Sequence, residues 1–237
     1  MRKLLVIILL VSIVACSGEK EQGNMIVQGQ IKGLKKGTLY LQKMVDTLVV
    51  SVDSISVLGQ DTFTLSDDVD SPEMYYLNFD TNNSQQKIMF FGQQGTITIN
   101  DEVKSFGVNT KIEGSANQKV YEDYLKVTNK FQGKQLDLLE ANFKALKAED
   151  QKAVDSIREV SERYVKRKYL YTIQFALQHP DSEATPYIAL TELQAANVKY
   201  LDSINNNLSE KVKKSTYGKQ LDEFIARIKK AEQKEQN

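Results

Sequence analysis

Seven short apolar runs lie between Ile26 and Ile99, and nothing constrains the fold of this chain more. They are Ile26–Ile31, Thr38–Leu41, Leu48–Val57, Thr62–Leu65, Met74–Phe79, Lys87–Phe91 and Thr96–Ile99. Alternation and β-branched or aromatic content mark them as strands. Gly33, Gly37, Gly59, Gly92, Gly95 and the Asp67-Asp68 pair fall between them, and such residues turn a chain because they accept left-handed backbone or bond their own amides. Short strands at this spacing predict an antiparallel β-sandwich or half-barrel over residues 25–113.

Beyond Ile112-Glu-Gly-Ser115 the apolar period lengthens from two to about 3.6 residues, with Ser115 a suitable N-cap. Val120, Tyr121, Tyr124, Leu125 and Phe131 share one helical face, which Leu136, Leu139, Phe143 and Leu146 continue past a kink at Gly133. After a turn at Glu149-Asp150, the residues Ile157, Val160, Tyr164, Tyr171 and Phe175 form the stripe of a second long helix that stops before Pro180. The two arms are expected to pack as an antiparallel hairpin. Shorter helices follow from Thr185, from Asn197 and around Tyr217. The fold class expected is therefore α+β: the sandwich, then a helical region with a long helical hairpin over 114–230, then a disordered tail over 231–237, where Ala231 is the one apolar residue.

The N-terminus speaks to location. Arg2-Lys3, an apolar run from Leu4 to Val14, and then Ala15 and Cys16 make up a signal peptide over residues 1–15. The run is too short for a stable membrane-spanning helix, which needs around 20 apolar residues. Ile13-Val14-Ala15-Cys16 resembles a bacterial lipobox, in which the cysteine is diacylated, the peptide is cut before it and the new amine is acylated. The alternative is an ordinary cleaved signal with a stray cysteine. Ser17 after the cysteine resembles outer-membrane sorting. The expected product is a cell-envelope lipoprotein of the outer membrane, facing the periplasm or the cell surface. Lipid at Cys16 holds it to the membrane through a polar tether, residues 16–24.

Removing residues 1–15 takes away two basic residues and leaves 29 against 31 acidic ones, a net charge of about −2; this gives no electrostatic case for binding nucleic acid. With one cysteine the chain has no disulfide of its own, no thiolate pair and no sulfur-ligated zinc site. The sole histidine, His179, sits before Pro180 where an imidazole pairs with free helix carbonyls. Asp67, Asp68 and Asp70 lack calcium-loop spacing and read as a solvated turn. No glycine pattern suits phosphate, and Lys166-Arg167-Lys168 reads as a solvated helix face. No cofactor is expected.

A resemblance emerges from several of these stretches together. Ile26-Val-Gln-Gly29-Gln-Ile-Lys-Gly33, Gly37-Thr-Leu-Tyr40-Leu41, Val52-Asp53-Ser54, Pro72-Glu-Met-Tyr75 and Phe90-Phe-Gly-Gln-Gln-Gly95 resemble a domain of unknown function found in bacterial lipoproteins ahead of a TlpA-like thioredoxin domain. Ser115-Ala-Asn117, His179-Pro180-Asp-Ser182 and Ser215-Thr-Tyr217-Gly218 resemble the helical connector of those proteins. The family's thiol-disulfide exchange needs a Trp-Cys-x-x-Cys site, and this chain has no Trp and no second Cys. The resemblance therefore implies no enzyme activity here. It implies a non-catalytic binding or scaffolding module of the envelope or, alternatively, an accessory part of a thiol-disulfide system whose partner is a separate thioredoxin-like envelope protein. A connector built beside another domain is expected to keep uncovered apolar or aromatic positions, with the tyrosines between Tyr164 and Tyr217 as candidates. The other reading has these tyrosines half-buried between helices.

One tripeptide recurs. Asp46-Thr47-Leu48, Asp53-Ser54-Ile55, Asp155-Ser156-Ile157 and Asp202-Ser203-Ile204 all read Asp, Ser or Thr, then an aliphatic, where composition predicts about one such match. The pattern resembles an O-glycosylation signal of exported proteins, with Thr47, Ser54, Ser156 and Ser203 as acceptors. The alternative is local turn and cap chemistry.

Overall fold

The computed structural model describes residues 23–80 and 87–235. The signal run 1–15 and Cys16 lie outside the described residues, as does the tether up to position 22.

The seven apolar runs become β1 (Met25–Lys32), β2 (Lys36–Val45), β3 (Leu48–Leu58), β4 (Thr62–Asp67), β5 (Glu73–Phe79), β6 (Ile88–Gly92) and β7 (Gly95–Glu102), and among the described residues a short β8 (Lys111–Glu113), which no run announced, follows them. They form two four-stranded sheets, ordered β4-β1-β7-β8 and β3-β2-β5-β6. Side chains of alternating parity from both sheets fill the space between them, among them Val27, Ile31, Leu41, Leu77, Phe90 and Ile97, as strand geometry dictates for a sandwich. The open sandwich predicted from the sequence is thus present. Its pairing is mixed rather than wholly antiparallel: β1 runs parallel to β7, with Met25 opposite Gly95 and Gly29 opposite Ile99. Parallel neighbours need a crossover, and here the chain passes from β1 to β2 and β3 of the other sheet, returns to β4 beside β1, and goes through β5 and β6 before it comes back as β7.

Gly114 carries the chain out of the sandwich. Its φ is +97° and a Cβ there would lie 2.1 Å from the Thr96 carbonyl oxygen, so both the backbone angle and the space demand glycine. Ser115 then caps α1 (Ala116–Lys147), its Oγ accepting from the Gln118 amide at 3.2 Å. α1 passes Gly133 without a break. Asp150 caps α2 (Gln151–Gln178) in the same way, accepting from Ala153 at 3.0 Å. At 1.5 Å per residue these helices are about 48 and 42 Å long, and they lie against each other as the predicted hairpin.

The face that α1 turns to α2 is not the one its leucines suggest. A line of buried and half-buried positions runs through Tyr124, Thr128, Phe131, Gln135, Leu138, Asn142 and Ala145, at alternating intervals of four and three. Leu136, Leu139, Phe143 and Leu146 are instead 54–67% exposed. The small side chains of Thr128 and Ala145, both buried on this line, let a neighbouring helix pack against the backbone of α1, and that contact takes precedence over the larger apolar stripe beside it.

The remaining helices are α3 (Ala184–Glu192), α4 (Val198–Asn207), the single turn α5 (Glu210–Lys213) and α6 (Thr216–Glu235). With the end of α2 they enclose a second core around Ile173, Leu193, Leu201, Ile204, Val212 and Leu221. The tail expected to be disordered from 231 is helical as far as Glu235. Its Ala, Glu, Gln and Lys are strong helix formers, so propensity extends α6 past its last apolar contact.

Candidate functional site: the joint between sandwich and helices

A strand buried on both faces makes the joint. In β6, Phe90 points into the sandwich core while Phe91, its neighbour of opposite parity, points out of it. Phe91 is fully buried because Tyr121, Tyr187 and Tyr217 surround its ring edge-on, with centroids 5.6, 5.4 and 6.3 Å away. Edge-to-face arrangements at these separations are attractive beyond the area they bury. The backbone is tied as well. The Phe91 amide donates to Gln118 Oε1 at 2.9 Å, the Met74 amide to Tyr217 Oη at 3.0 Å, and Thr216 bonds both Ser71 and Glu73.

Beside this joint lies a cleft of about 540 Å³, lined by the Val69–Pro72 loop, Gln93 and Gln94, the start of α1, the segment 178–183, and Lys211. Its polar centre is Glu183, 2% exposed. One carboxylate oxygen accepts from Asn117 Nδ2 at 2.9 Å, and the other pairs with Lys211 Nζ at 2.9 Å. Asn117 Oδ1 in turn accepts the Ser182 hydroxyl at 2.6 Å and the Ala184 amide at 3.3 Å. A buried carboxylate is tolerated only when paired and hydrogen-bonded, and this one is both. Ser115 Oγ donates to Gln93 Oε1 at 2.9 Å, so the cap of α1 is also a rivet to the β6–β7 turn.

His179 reaches the same cleft but is held as a cap. Its Nδ1 lies 2.8 Å from the Phe175 carbonyl oxygen and its ring stacks on Phe175 at 4.1 Å. Asn117, His179 and Ser182, far apart in sequence but prominent in the connector resemblance, therefore meet. Glu183, which completes the network, carries no sequence signal beyond lying next to Ser182.

The other sequence candidates stay apart. Thr47 sits in the β2–β3 turn, Ser54 in β3, Ser156 on α2 and Ser203 on α4. All four are exposed, and Ser203 Oγ bonds the Lys199 carbonyl one turn back. Asp67 is engaged in full, taking Lys43 Nζ and the Tyr75 hydroxyl, each at 2.7 Å. Asp68 accepts the Asn24 amide at 3.0 Å. Lys168 pairs with Glu192 at 2.8 Å. Among the described residues no cluster of three His, Cys, Asp or Glu could hold a metal ion, and no helix is long and apolar enough to cross a membrane.

The tyrosines between Tyr164 and Tyr217 divide between the two expectations. Tyr164, Tyr169, Tyr171, Tyr187 and Tyr217 are half-buried against other rings, and Tyr200 alone of this set is exposed. Burial raises the hydroxyls of Tyr187 and Tyr217 above their ordinary value, the Met74 amide opposing the shift at Tyr217. Exposed apolar side chains lie on the outer stripe of α1, at Met44, Val45, Leu48 and Val49 of the β2–β3 hairpin, at Leu58, Met89 and Val108, and at Val165, Leu170 and Leu177 of α2.

Comparison with known families identifies residues 25–121 as a match to a domain of unknown function, DUF4369. No curated protein and no solved structure matches the chain. The matched span covers the whole sandwich and the first turns of α1, including Asn117, Gln118 and Tyr121, which hold the joint together. The DUF4369 match thus spans the sandwich, whose glycine and aromatic pattern carried the resemblance to a domain of unknown function.

Proposed function

We propose that this protein is a non-catalytic lipoprotein of the cell envelope, a binding or scaffolding module held to the outer membrane by lipid on Cys16. The observation that carries the non-catalytic reading is the engagement of the cleft. Glu183, Asn117 and Ser182 bond one another and His179 bonds its own helix, so the side chains best suited to proton transfer or nucleophilic attack are committed to holding the start of α1 against the α2–α3 connection. A general base must reach the proton it abstracts, and a nucleophile must be paired with a free base. Neither pairing is made here. The lone cysteine rules out a dithiol within this chain, so redox work would require a second protein. The DUF4369 match and the resemblance to lipoproteins carrying a TlpA-like domain favour a thioredoxin-like envelope protein as that partner. The exposed hydroxyls of Thr47, Ser54, Ser156 and Ser203 are the candidate O-glycan acceptors, and the three serines are the ones expected to carry glycan.

One set of measurements on protein from its native envelope tests this reading. Labelling with palmitate is expected to mark the wild type and not Cys16→Ala, and intact mass is expected to exceed that of the lipidated polypeptide by steps lost in Ser54→Ala, Ser156→Ala and Ser203→Ala. Insulin reduction by the purified chain is expected to stay at the rate without protein. An unlabelled, freely soluble wild type removes the anchor, and appreciable insulin turnover overturns the non-catalytic reading.

A further inference from the structure

We propose that the apex of the β2–β3 hairpin is a lipid-contacting element that seats the sandwich on the membrane surface. The inference rests on the anchor at Cys16 and adds to it a second contact, made by the fold itself.

The hairpin is longer than the sandwich it belongs to. Lys43 is the last residue of β2 that faces the opposite sheet, where its Nζ meets Asp67 Oδ2 at 2.7 Å and closes the end of the core. Beyond it, Met44 pairs with Val49 and Val45 with Leu48. Adjacent residues of a strand point to opposite faces, so one pair lies on each face of the ribbon. All four side chains are exposed, Met44 and Val45 at 46%, Val49 at 45% and Leu48 at 69%. A hairpin projecting into water is stable with polar residues on its free faces; this one is apolar on both. Only Asp46 and Thr47 at the turn are polar, and Asp46 has φ +54°, a left-handed conformation that Asp tolerates better than most residues. The register shift between Leu41 and Gln42 is a bulge, which twists the last pairs relative to the sheet.

The position of this apex names the occupant. Met25, where β1 begins, is opposite Asp67, the residue that grips Lys43. Asn24 is fastened to the same loop through Asp68 and Val69. The chain from Cys16 therefore enters the fold at the end from which the apolar apex projects. The paired strands extend about 7 Å beyond Lys43, two residues at roughly 3.3 Å each, with the two-residue turn beyond them. The eight residues from Ser17 to Asn24 reach at most about 26 Å. The tether is long enough for the apex to touch the bilayer and short enough to keep it close. Asp46 and the nearby Asp68 and Asp70 hold the contact at headgroup depth and favour uncharged over anionic lipid. A glycan on Thr47 is incompatible with this contact, so of the four candidate acceptors Thr47 is expected to be bare.

The chain has no tryptophan, so one indole reports on one place. The test uses the full chain, lipidated at Cys16, carrying Leu48→Trp or, as a second variant on the opposite strand, Val45→Trp, in phosphatidylcholine vesicles with bromines at shallow or deep acyl positions. The control is Leu58→Trp, at a site 78% exposed at the other end of β3. Expected are a blue shift and quenching at position 48 or 45, stronger with shallow than deep bromines and weaker when anionic lipid is added, and emission at position 58 that stays water-like. Protein that floats with the vesicles while all three indoles stay in water overturns the proposal and leaves the anchor standing. Protein that does not float removes the anchor, and this inference with it. Equal quenching at positions 48 and 58, a blue shift that needs a second envelope protein, or a glycan found on Thr47 each overturns it as well.

Discussion

At the scale of single residues the protein is notable for buried phenols. Burial raises the Tyr75 hydroxyl well above its ordinary value, and the Asp67 carboxylate that accepts its proton adds to the shift. Burial raises Tyr124 in the same direction, partly opposed by its hydrogen bond with Thr172. Tyr187 and Tyr217 follow, again through burial first. The consequence for stability has a definite sign. In the unfolded chain a tyrosine loses its proton near pH 10, while in the fold these hold theirs to higher pH. Their contribution is complete below about pH 10 and is lost as pH climbs above it, where only the unfolded state gains by ionising. The urea midpoint is therefore expected to fall steeply above about pH 10, and Tyr124→Phe to flatten that fall while leaving its onset in place. A midpoint that drops equally in both proteins assigns the loss to lysine deprotonation instead. The sequence placed Tyr124 on the apolar face of its helix but not how deeply it is buried, and it did not distinguish Glu183 from the other acids. Burial of one side chain depends on what arrives from distant segments, here α3 and α6 against β6.

Whole elements were more legible, since strands and helices are written in local periodicity. Gly and Asp turns located seven sandwich strands, though β2 and β7 run three or four residues past the expected ends and β8 was not foreseen, and Ser115, Asp150 and Asn197 cap their helices as capping chemistry requires. What the period did not disclose is direction. α1 carries two adjacent stripes with the same three-and-four spacing, and the more apolar of them, through Leu136, Leu139, Phe143 and Leu146, is the exposed one. The covered stripe includes Gln135 and Asn142, polar residues that hide it from any reading of apolar period. The parallel pairing of β1 with β7 was equally hidden, because register between strands some 70 residues apart leaves no local trace. The two faces of α1 make opposite predictions for neighbouring leucines. Leu138 is 9% exposed and Leu139 65%. Leu138→Ala is expected to cost about 2–3 kcal/mol by opening a gap beneath α2, and Leu139→Ser to stay within about 0.5 kcal/mol of wild type. Chemical denaturation of the two variants checks this, and equal losses would show that the outer stripe is covered in solution.

For the whole molecule the question is whether sandwich and helices stand or fall together. Phe90 and Phe91 follow one another in a single strand and so face opposite ways, and what covers the outward-facing Phe91 is a tertiary fact. Tyr121, Tyr187 and Tyr217 come from three different helices to a single phenylalanine, the hydrogen bonds of Gln118 and Tyr217 lock the sheet backbone to α1 and α6, and Thr216 adds a bond to the Glu73 carboxylate. Truncating a fully buried phenylalanine costs about 3–5 kcal/mol, a large part of the roughly 5–15 kcal/mol that holds a typical domain folded. Phe91 also has no share in the core between the two sheets, which Phe90 fills. Phe91→Ala therefore removes coupling energy while leaving each half its own core. Wild type is expected to unfold in one urea transition, with helix content by far-ultraviolet dichroism and tyrosine environment by near-ultraviolet dichroism coinciding. Phe91→Ala is expected to separate them, while Phe90→Ala shifts the sandwich without releasing the helices from one another. Two transitions already present in wild type would mean that the aromatic joint is a contact of convenience between independent halves; a single, merely weakened transition in Phe91→Ala would mean that the hydrogen bonds of Ser115, Gln118 and Tyr217 to the sandwich carry the coupling by themselves.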